Sequence, residues 1–357
     1  MKSGMNKGFL IISSIALGIV ICIMFAGSFW FYGMGPVTKS DKVVQFEVEE
    51  GTTYTLLADR LKEEGLIRSP FVYKLYIKLN QPAPLQAGSY SLKPSSGVKG
   101  IVDILSKGTH SNEDVITITF REGLNMQQIA EVIAMNTNNE ENDVLKKATD
   151  EDYIDSLIKE YWFLSNDIKK DTYYPIEGYL FPDTYQFLNE NVSVETIFET
   201  MLDEMGKKLE PIKKDIEESE YSLHEIVTLA SMIQSEGNNI LDFGKMASVF
   251  LSRLNENMRL ESCASAYYGD HKIMGRDSFG DSYLKENDYN TYVVDGIPVG
   301  PISNPGIDAI ESVLNPSDTD YLYFASDKNM KVYFSKTYEE HENTIAQLRE
   351  AGNWYGS

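Results

Sequence analysis

Two cysteines in 357 residues, Cys22 and Cys263, set the first limits. They lie far apart, and Cys22 sits in an apolar run, so neither a disulfide framework nor a cysteine metal spacing is present. Histidine is as scarce. His110, His224, His271 and His341 stand alone, with no H-x-x-x-H pair and no cysteine neighbour. No metal site and no cofactor are expected. Positive charge is also short: 32 Lys and Arg face 54 Asp and Glu, a net charge of −22 with no basic cluster. That balance argues against a nucleic-acid partner, whose phosphates would be repelled. The acidity is otherwise what a soluble surface carries. Long hydrophobic runs are missing too, with one exception.

The exception is residues 9–31, which hold no charged side chain. Their number matches the roughly 20 residues that cross a bilayer as a helix. Lys2 and Lys7 precede the run, Trp30, Phe31 and Tyr32 close it, and Asp41 is the first acid. This pattern places residues 1–8 in the cytoplasm and everything after residue 32 outside. A cleaved signal peptide is the rival reading, but its apolar core runs to only about 7–15 residues before an A-x-A-like site. Here the run is longer and Ala26-Gly27-Ser28 is a weak cleavage sequence. The expectation is an uncleaved single-pass anchor in a bacterial cell membrane, carrying an extracytoplasmic body.

That body is long enough for two or three domains, and at 42% apolar residues it can bury a sizeable core. A polar linker covers 32–42. Val43 to Val48 reads as a strand, alternating from Val44 on, and Leu56, Leu57, Ala58 and Leu61 form a helix ending at Gly65. Ser69-Pro70 opens a helix with Phe71, Tyr73, Leu75, Tyr76 and Leu79; Gly88 to Leu92 returns as a strand, and Val98 to Leu105 adds a short helix. The result is a small α+β module. Part of it recurs: Phe46-x-x-x-Glu50-Gly51 with Ala58 seven residues on is echoed by Ile118-x-x-x-Glu122-Gly123 with Ala130. Two copies are too few for a solenoid, so each is read as a strand, a Glu-Gly turn and an amphipathic helix in adjoining subdomains.

Residues 138–171 are acidic, helical and without motifs. Glu177-Gly-Tyr-Leu-Phe-Pro-Asp-Thr-Tyr185 is an aromatic stretch, read as core more readily than as a sugar-stacking surface. Helices follow over 193–209, 224–236 and 242–257, the last with Met246, Val249, Phe250 and Leu254 on one face. Leu260 to Gly269 leads into a Gly/Asp/Ser-rich loop, and Gly296 to Gly306 is helix-incompatible backbone of the kind that builds binding sites. Tyr321 to Ala325 and Lys331 to Phe334 pair as a hairpin. Thr337-x-x-Glu340 is a capping box for a C-terminal helix.

The helix His224 to Gly237 stands out. Ile226, Leu229, Ala230 and Ile233 give it an apolar face, and Glu236 lies in its last turn at the edge of that face, beside Leu229 and Met232. The negative end of the helix dipole and an apolar flank both raise a carboxyl pKa, as a general acid working near neutral pH requires. The plainer reading is a solvated last-turn glutamate.

Several stretches together resemble one family, the endolytic murein transglycosylases or YceG-like proteins. They are Gln86-Ala-Gly-Ser-Tyr90, Arg121-Glu-Gly123, Glu177 to Tyr185, Leu229 to Glu236, Ala247 to Leu254 with Met258-Arg-Leu260, Tyr289-Asn-Thr-Tyr292, the Gly296–Gly306 loop and Tyr321 to Ala325. Their order and spacing carry the likeness. The resemblance implies an α+β protein with an N-terminal transmembrane helix, a LysM-like subdomain (43–112) and a catalytic domain (113–357) with a helical site like that of lysozymes and other transglycosylases. It implies Glu236 as the catalytic residue. It implies Gln234, Glu261, Ser262, Asn290, Thr291, Tyr292, Pro298, Gly300 and Asn304 as substrate-binding residues. Peptidoglycan glycan strands, the bacterial membrane and wall-synthesis enzymes are the implied partners.

The implied reaction is a non-hydrolytic cut between N-acetylmuramic acid and N-acetylglucosamine in nascent strands, at the outer face of the membrane. Glu236 would donate a proton to the glycosidic oxygen, then accept one from the muramic acid's C6 hydroxyl, which closes a 1,6-anhydro ring. A hydrolase normally needs a second carboxylate about 5–9.5 Å away. The chain departs from the family where Gln234 replaces a glutamate, and where Cys263 and Ala264 replace an aspartate and a proline. A glycosidase on the same glycan and a catalytically weakened glycan-binding scaffold are the alternative readings.

Overall fold

α1 is helical over 24–34, the stretch where the apolar run gives way to the body of the chain. The computed structural model describes residues 18, 24–39, 43–49, 51–107, 115–187, 189–237, 239–273, 277–278, 280–329 and 331–354. Most of the expected anchor, 9–31, therefore falls outside the described residues, as does the expected boundary at 112. Among the described residues no helix is long and apolar enough to cross a membrane. The chain divides into two compact units, Met1–Ile116 with Gln186–Val192, and Thr117–Tyr185 with Ser193–Ser357.

In the first unit the hydrophobic pattern decides the structure. β1 (Val44–Val48) is followed by α2 (Tyr54–Glu63), α3 (Pro70–Asn80), β2 (Gly88–Leu92) and α4 (Gly97–Lys107). β1 and β2 pair antiparallel with Phe46 opposite Tyr90. Ser69 caps α3 by accepting from the Val72 amide, and proline takes the first helical position, where its missing N–H costs nothing. Phe46, Leu57, Leu61, Tyr90, Val98 and Ile101 meet in one buried core. Three of the apolar residues on these helices point outward: Leu56, Phe71 and Leu79 are each about two-thirds exposed.

β3 (Ile116–Thr119) leads the chain into the second unit, where α5 (Met126–Asn136), α6 (Glu141–Ala148) and α7 (Glu151–Glu160) follow. β4 (Thr184–Phe187) pairs with β3. The internal repeat is real at the level of backbone: Gly51 and Gly123 turn at φ 81° and 78°, and Ala58 and Ala130 are both fully buried. α8 (Val194–Leu209) and α9 (Lys213–Glu218) lead to α10 (Leu223–Glu236). α11 (Ile240–Asn255), α12 (Cys263–Gly269) and α13 (Ile307–Leu314) all pack on α10 or on each other. β5 (Tyr323–Ser326) and β6 (Val332–Ser335) form the C-terminal hairpin, and α14 (Tyr338–Glu350) follows with its capping box at Thr337 and Glu340.

The architecture is thus mixed α+β, with three two-stranded ribbons among the described residues and helices carrying most of the core. α12 and α13 go beyond what the sequence pattern shows. The composition of 260–269 suggests a run straight into loop, yet Ser262 caps a two-turn helix through the Ser265 amide. α13 is short and starts directly from the glycine and proline run that masks it.

Candidate active site

α10 is the axis of the site. Ser222 and Glu225 form a reciprocal capping box at its start, and every residue from Ile226 to Ile233 is buried. A helix buried all round is held rigidly, which fixes where its last turn points. Gly237 ends it in extended backbone, with φ −140°. Glu236 is the last helical residue. Its Oε1 accepts from Ser262 Oγ at 2.7 Å and from the Ala264 amide at 3.2 Å. Its backbone carbonyl accepts from Ser326 Oγ at 3.0 Å. The side chain is partly buried, and desolvation raises the carboxyl above its ordinary value against the pull of those two donors. Among the described residues no cationic partner offsets the burial, so the protonated form is favoured relative to a surface glutamate.

The two donors are placed by the chain after α11. Ser262 is 3% exposed, and its own amide donates to Thr291 Oγ1 at 2.8 Å. Thr291 is fully buried and also meets Ser265 Oγ at 2.8 Å. Asn290, fully buried too, donates to the carbonyls of Ser282, Tyr283 and Lys285 and accepts from the Tyr292 amide. Asn290 and Thr291 therefore spend their polar groups inside the protein and expose no surface to a sugar. They brace the loop that aims Ser262. Arg253 does the same from the other side. Only 6% exposed, it donates to the carbonyls of Leu322, Arg259 and Leu260 and pairs with Glu261 at 3.1 Å. Glu261 itself is half exposed, with φ 50°.

Cys263 sits at the first position of α12, its Sγ 3.1 Å from Tyr292 Oη. Burial, with the nearby Glu236 charge, pushes the thiol up to about 11, so it is neutral at physiological pH. Burial likewise raises the Tyr292 hydroxyl, with Cys263 adding to the effect. Tyr292 is partly exposed, whereas Tyr179 and Tyr289 are 1% exposed and belong to the core.

The remaining expected site residues divide in two. Gln234 is close to Glu236, and its Oε1 accepts from the Gly306 amide at 3.0 Å. Pro298 and Gly300 are buried at the opposite end of α10: His224 Nε2 lies 3.1 Å from the Val299 carbonyl, and Gly300 packs on Thr172 and His224. Twelve residues of helix put that end about 18 Å from Glu236. The two residues anchor α10's start and do not stand beside the acid. Since the Val299 carbonyl can only accept, His224 carries its proton on Nε2 and accepts at Nδ1 from Tyr179 Oη, 3.0 Å away. Desolvation lowers the His224 pKa, in keeping with a neutral ring.

Asn304 is 1% exposed and fully occupied. Its Oδ1 accepts from the Gly178 and Leu180 amides, both at 2.9 Å, and its Nδ2 donates to the Leu124 carbonyl and to Glu177 Oε1. This network contains the residue that sequence reasoning missed. Glu177, 1% exposed, receives Asn304 Nδ2 at 2.7 Å on one oxygen, and the Met126 amide at 2.8 Å and Tyr268 Oη at 3.0 Å on the other. Burial pushes its carboxyl up to about 8, even against those donors. Glu177 is the lone acid among Ile176, Tyr179, Leu180 and Phe181, a position that itself signals a buried, paired carboxylate. Arg253 was detectable the same way, three residues after Phe250 on the apolar face of α11.

Gln234, Ser235 and Ala264 line an open cleft with Glu122, Asn125, Tyr267, Lys272 and Ile302. The cleft is polar and carries both charge signs, which suits a hydroxyl- and amide-rich ligand. Another hollow, edged by Leu145, Tyr173, Tyr174 and His271, includes none of the expected site residues. Among the described residues no group of His, Cys, Asp and Glu is arranged to hold a metal ion.

Known proteins share this chain's pattern. The YceG-like family matches residues 46–347. An endolytic murein transglycosylase of Bacillus subtilis is 34% identical over 321 residues, 88% of each chain. One from Streptococcus pneumoniae is 29% identical over 351 residues, covering 92% of this chain and 64% of that protein. A crystal structure of a yceG-like protein from Listeria monocytogenes superposes with a TM-score of 0.61 at 31% identity, over 85% of this chain and all of the other.

Proposed function

The chain belongs to the YceG-like family, and on that premise we infer that it is an endolytic murein transglycosylase, a lyase that cuts peptidoglycan glycan strands. The observation that carries the mechanism is the setting of Glu236: a partly buried carboxyl with a raised pKa, no cation beside it among the described residues, and two donors on one oxygen. Such a group keeps its proton to a higher pH than a surface glutamate, so it has one to donate to a departing glycosidic oxygen. Once ionised, it is stabilised by Ser262 and the Ala264 amide. Oε2 has no such donor among the described residues and is the oxygen that exchanges protons with substrate. The carboxylate then takes the proton of the muramic acid's C6 hydroxyl as that oxygen attacks the anomeric carbon. The glycosidic C–O bond breaks, a 1,6-anhydro ring forms, and no water is consumed.

Hydrolysis is the competing outcome, and it normally calls for a second carboxylate. Glu261 is tied to Arg253, and the position next to Ser262 holds the neutral thiol of Cys263. Both features favour the single-acid route. Gln234, Tyr292 and the cleft rim are the proposed substrate contacts. Residues 9–31 serve as a membrane anchor in this reading, with the catalytic unit outside the cell membrane. The first unit acts as a LysM-like glycan holder close to nascent strands and the enzymes that make them.

Digestion of purified sacculi by the full chain, with mass spectrometry of the fragments, tests the function. 1,6-Anhydro ends from the wild type, and none from Glu236→Gln, are expected. Reducing ends would assign a hydrolase. Digestion by Glu236→Gln at the wild-type rate would remove Glu236 from the mechanism.

A further inference from the structure

The first unit places a large apolar side chain where its own core has no use for it. Phe71, in the first turn of α3, is 65% exposed, while the next two residues, Val72 and Tyr73, are fully buried. The ring lies against α1. Its centroid is 6.3 Å from that of Phe29, which is itself 52% exposed. Val72 packs so tightly on Gly33 that no side chain fits there. Arg68 lays its guanidinium over the Tyr32 ring at 4.6 Å and reaches the Tyr32 carbonyl at 3.5 Å. The end of α1 and the start of α3 therefore form one packed block.

The order of these contacts along α1 sets a depth. Phe29 precedes Tyr32 by three residues, about 4.5 Å toward the apolar run. Phe71 stands at the level of Phe29, inside the aromatic end formed by Trp30, Phe31 and Tyr32, and Arg68 stands at the level of Tyr32. An aromatic ring with a guanidinium one step further out matches the boundary between acyl chains and phosphates. The rest of α3 is consistent. In a chain of net charge −22, its residues Pro70–Asn80 include Lys74 and Lys78 and no acid. Lys74 pairs with Asp59 at 3.3 Å, while Lys78 is exposed and shares a face about 60° wide with Phe71 and Leu75.

We propose that the first turn of α3 docks on the lipid bilayer, with Phe71 entering the interfacial layer beside the anchor and Arg68 meeting lipid phosphate. This rests on the reading of residues 9–31 as a membrane anchor. Two points of attachment, side by side, restrain the swivel that a single helix leaves to the unit it carries.

The test uses the full chain reconstituted in vesicles of phosphatidylglycerol and phosphatidylethanolamine, with and without bromine on the acyl chains near the headgroup. Phe71→Trp adds one emitter to Trp30, Trp162 and Trp354, and the emission of the added indole is read as the difference from wild type. Loss of most of that difference in brominated vesicles, with a blue-shifted maximum, is the expected result. A variant that floats with the vesicles but keeps the whole of that difference overturns the docking and leaves the anchor standing. Added emission shielded from aqueous iodide yet untouched by bromine also overturns it, since a protein surface then covers the ring. A chain that fails to float overturns both readings.

Discussion

Glu177→Gln separates a buried carboxylate from a generic buried polar group. The groups aimed at the Glu177 side chain are donors, among them the Met126 amide, Tyr268 Oη and Asn304 Nδ2. Glutamine must turn its NH2 toward one of them, opposing donor to donor and leaving one unsatisfied, at about 1–3 kcal/mol. The charge acts the other way. Burial moves the Glu177 carboxyl from 4.5 to about 8, so the folded chain holds this proton more tightly than the unfolded chain. The associated stability is complete below about pH 4.5 and is lost as pH rises through about 8. A gap of about 3.5 units, at about 1.4 kcal/mol each, makes roughly 5 kcal/mol the most that can be lost. Glu177→Gln lacks this slope. Glu236 adds a slope of the same sign to both proteins, so their difference reports Glu177. Urea-unfolding midpoints measured at about pH 5, 7 and 9 should show the variant less stable at the acid end, with the gap closing or reversing at the alkaline end. Parallel curves across that range would refute the reasoning.

Three other outcomes follow from the site. Ser262→Ala removes one of the two bonds that favour ionised Glu236. Because the reaction starts from the protonated acid, the alkaline limb of the activity profile should move up by about one pH unit, and a downward move would contradict the role given to Ser262. Gly178 has φ 87° and sits against Pro301 and Val227. Gly178→Ala should cost at least about 2 kcal/mol by thermal unfolding, and an unchanged melting temperature would mean that this turn relaxes freely. With its thiol at about 11, Cys263 is ionised to about one part in a thousand at pH 8. Iodoacetamide should label it far more slowly in the folded chain than in urea, and equal rates would count against its burial.

The helices and ribbons whose apolar residues repeat at regular spacing are legible in the sequence alone. α10, α11 and the C-terminal hairpin follow their apolar periodicity closely. α12 and α13 are not legible, because each is about two turns long and adjoins Gly/Pro- or Ser-rich loop, where caps rather than periodicity decide the outcome. Within the site, the edge position of Glu236 on α10 points to its environment correctly, although desolvation, not the helix end, is the leading cause of its raised pKa. The likeness to a family singles out Asn290, Thr291 and Asn304 but not their direction. Motifs mark residues that matter, and only burial separates a group that touches substrate from one that aims its neighbour. Pro298 and Gly300 show the same limit: their distance from Glu236 comes from where the loop meets α10, which no spacing in the chain encodes.

The reach of Asn304 imposes a timetable on the nascent chain. Its partners Glu177 and Leu124 come 127 and 180 residues earlier. At about 5–20 residues per second, some 10–35 seconds of synthesis separate Leu124 from the asparagine it must meet. Until then Glu177 lacks the amide that satisfies its second oxygen, and the second unit cannot close. The first unit's core, drawn from residues 46–105, is complete long before. A ribosome that stalls upstream of codon 304 therefore releases a polypeptide whose first unit has its whole core while the rest stays open to proteases.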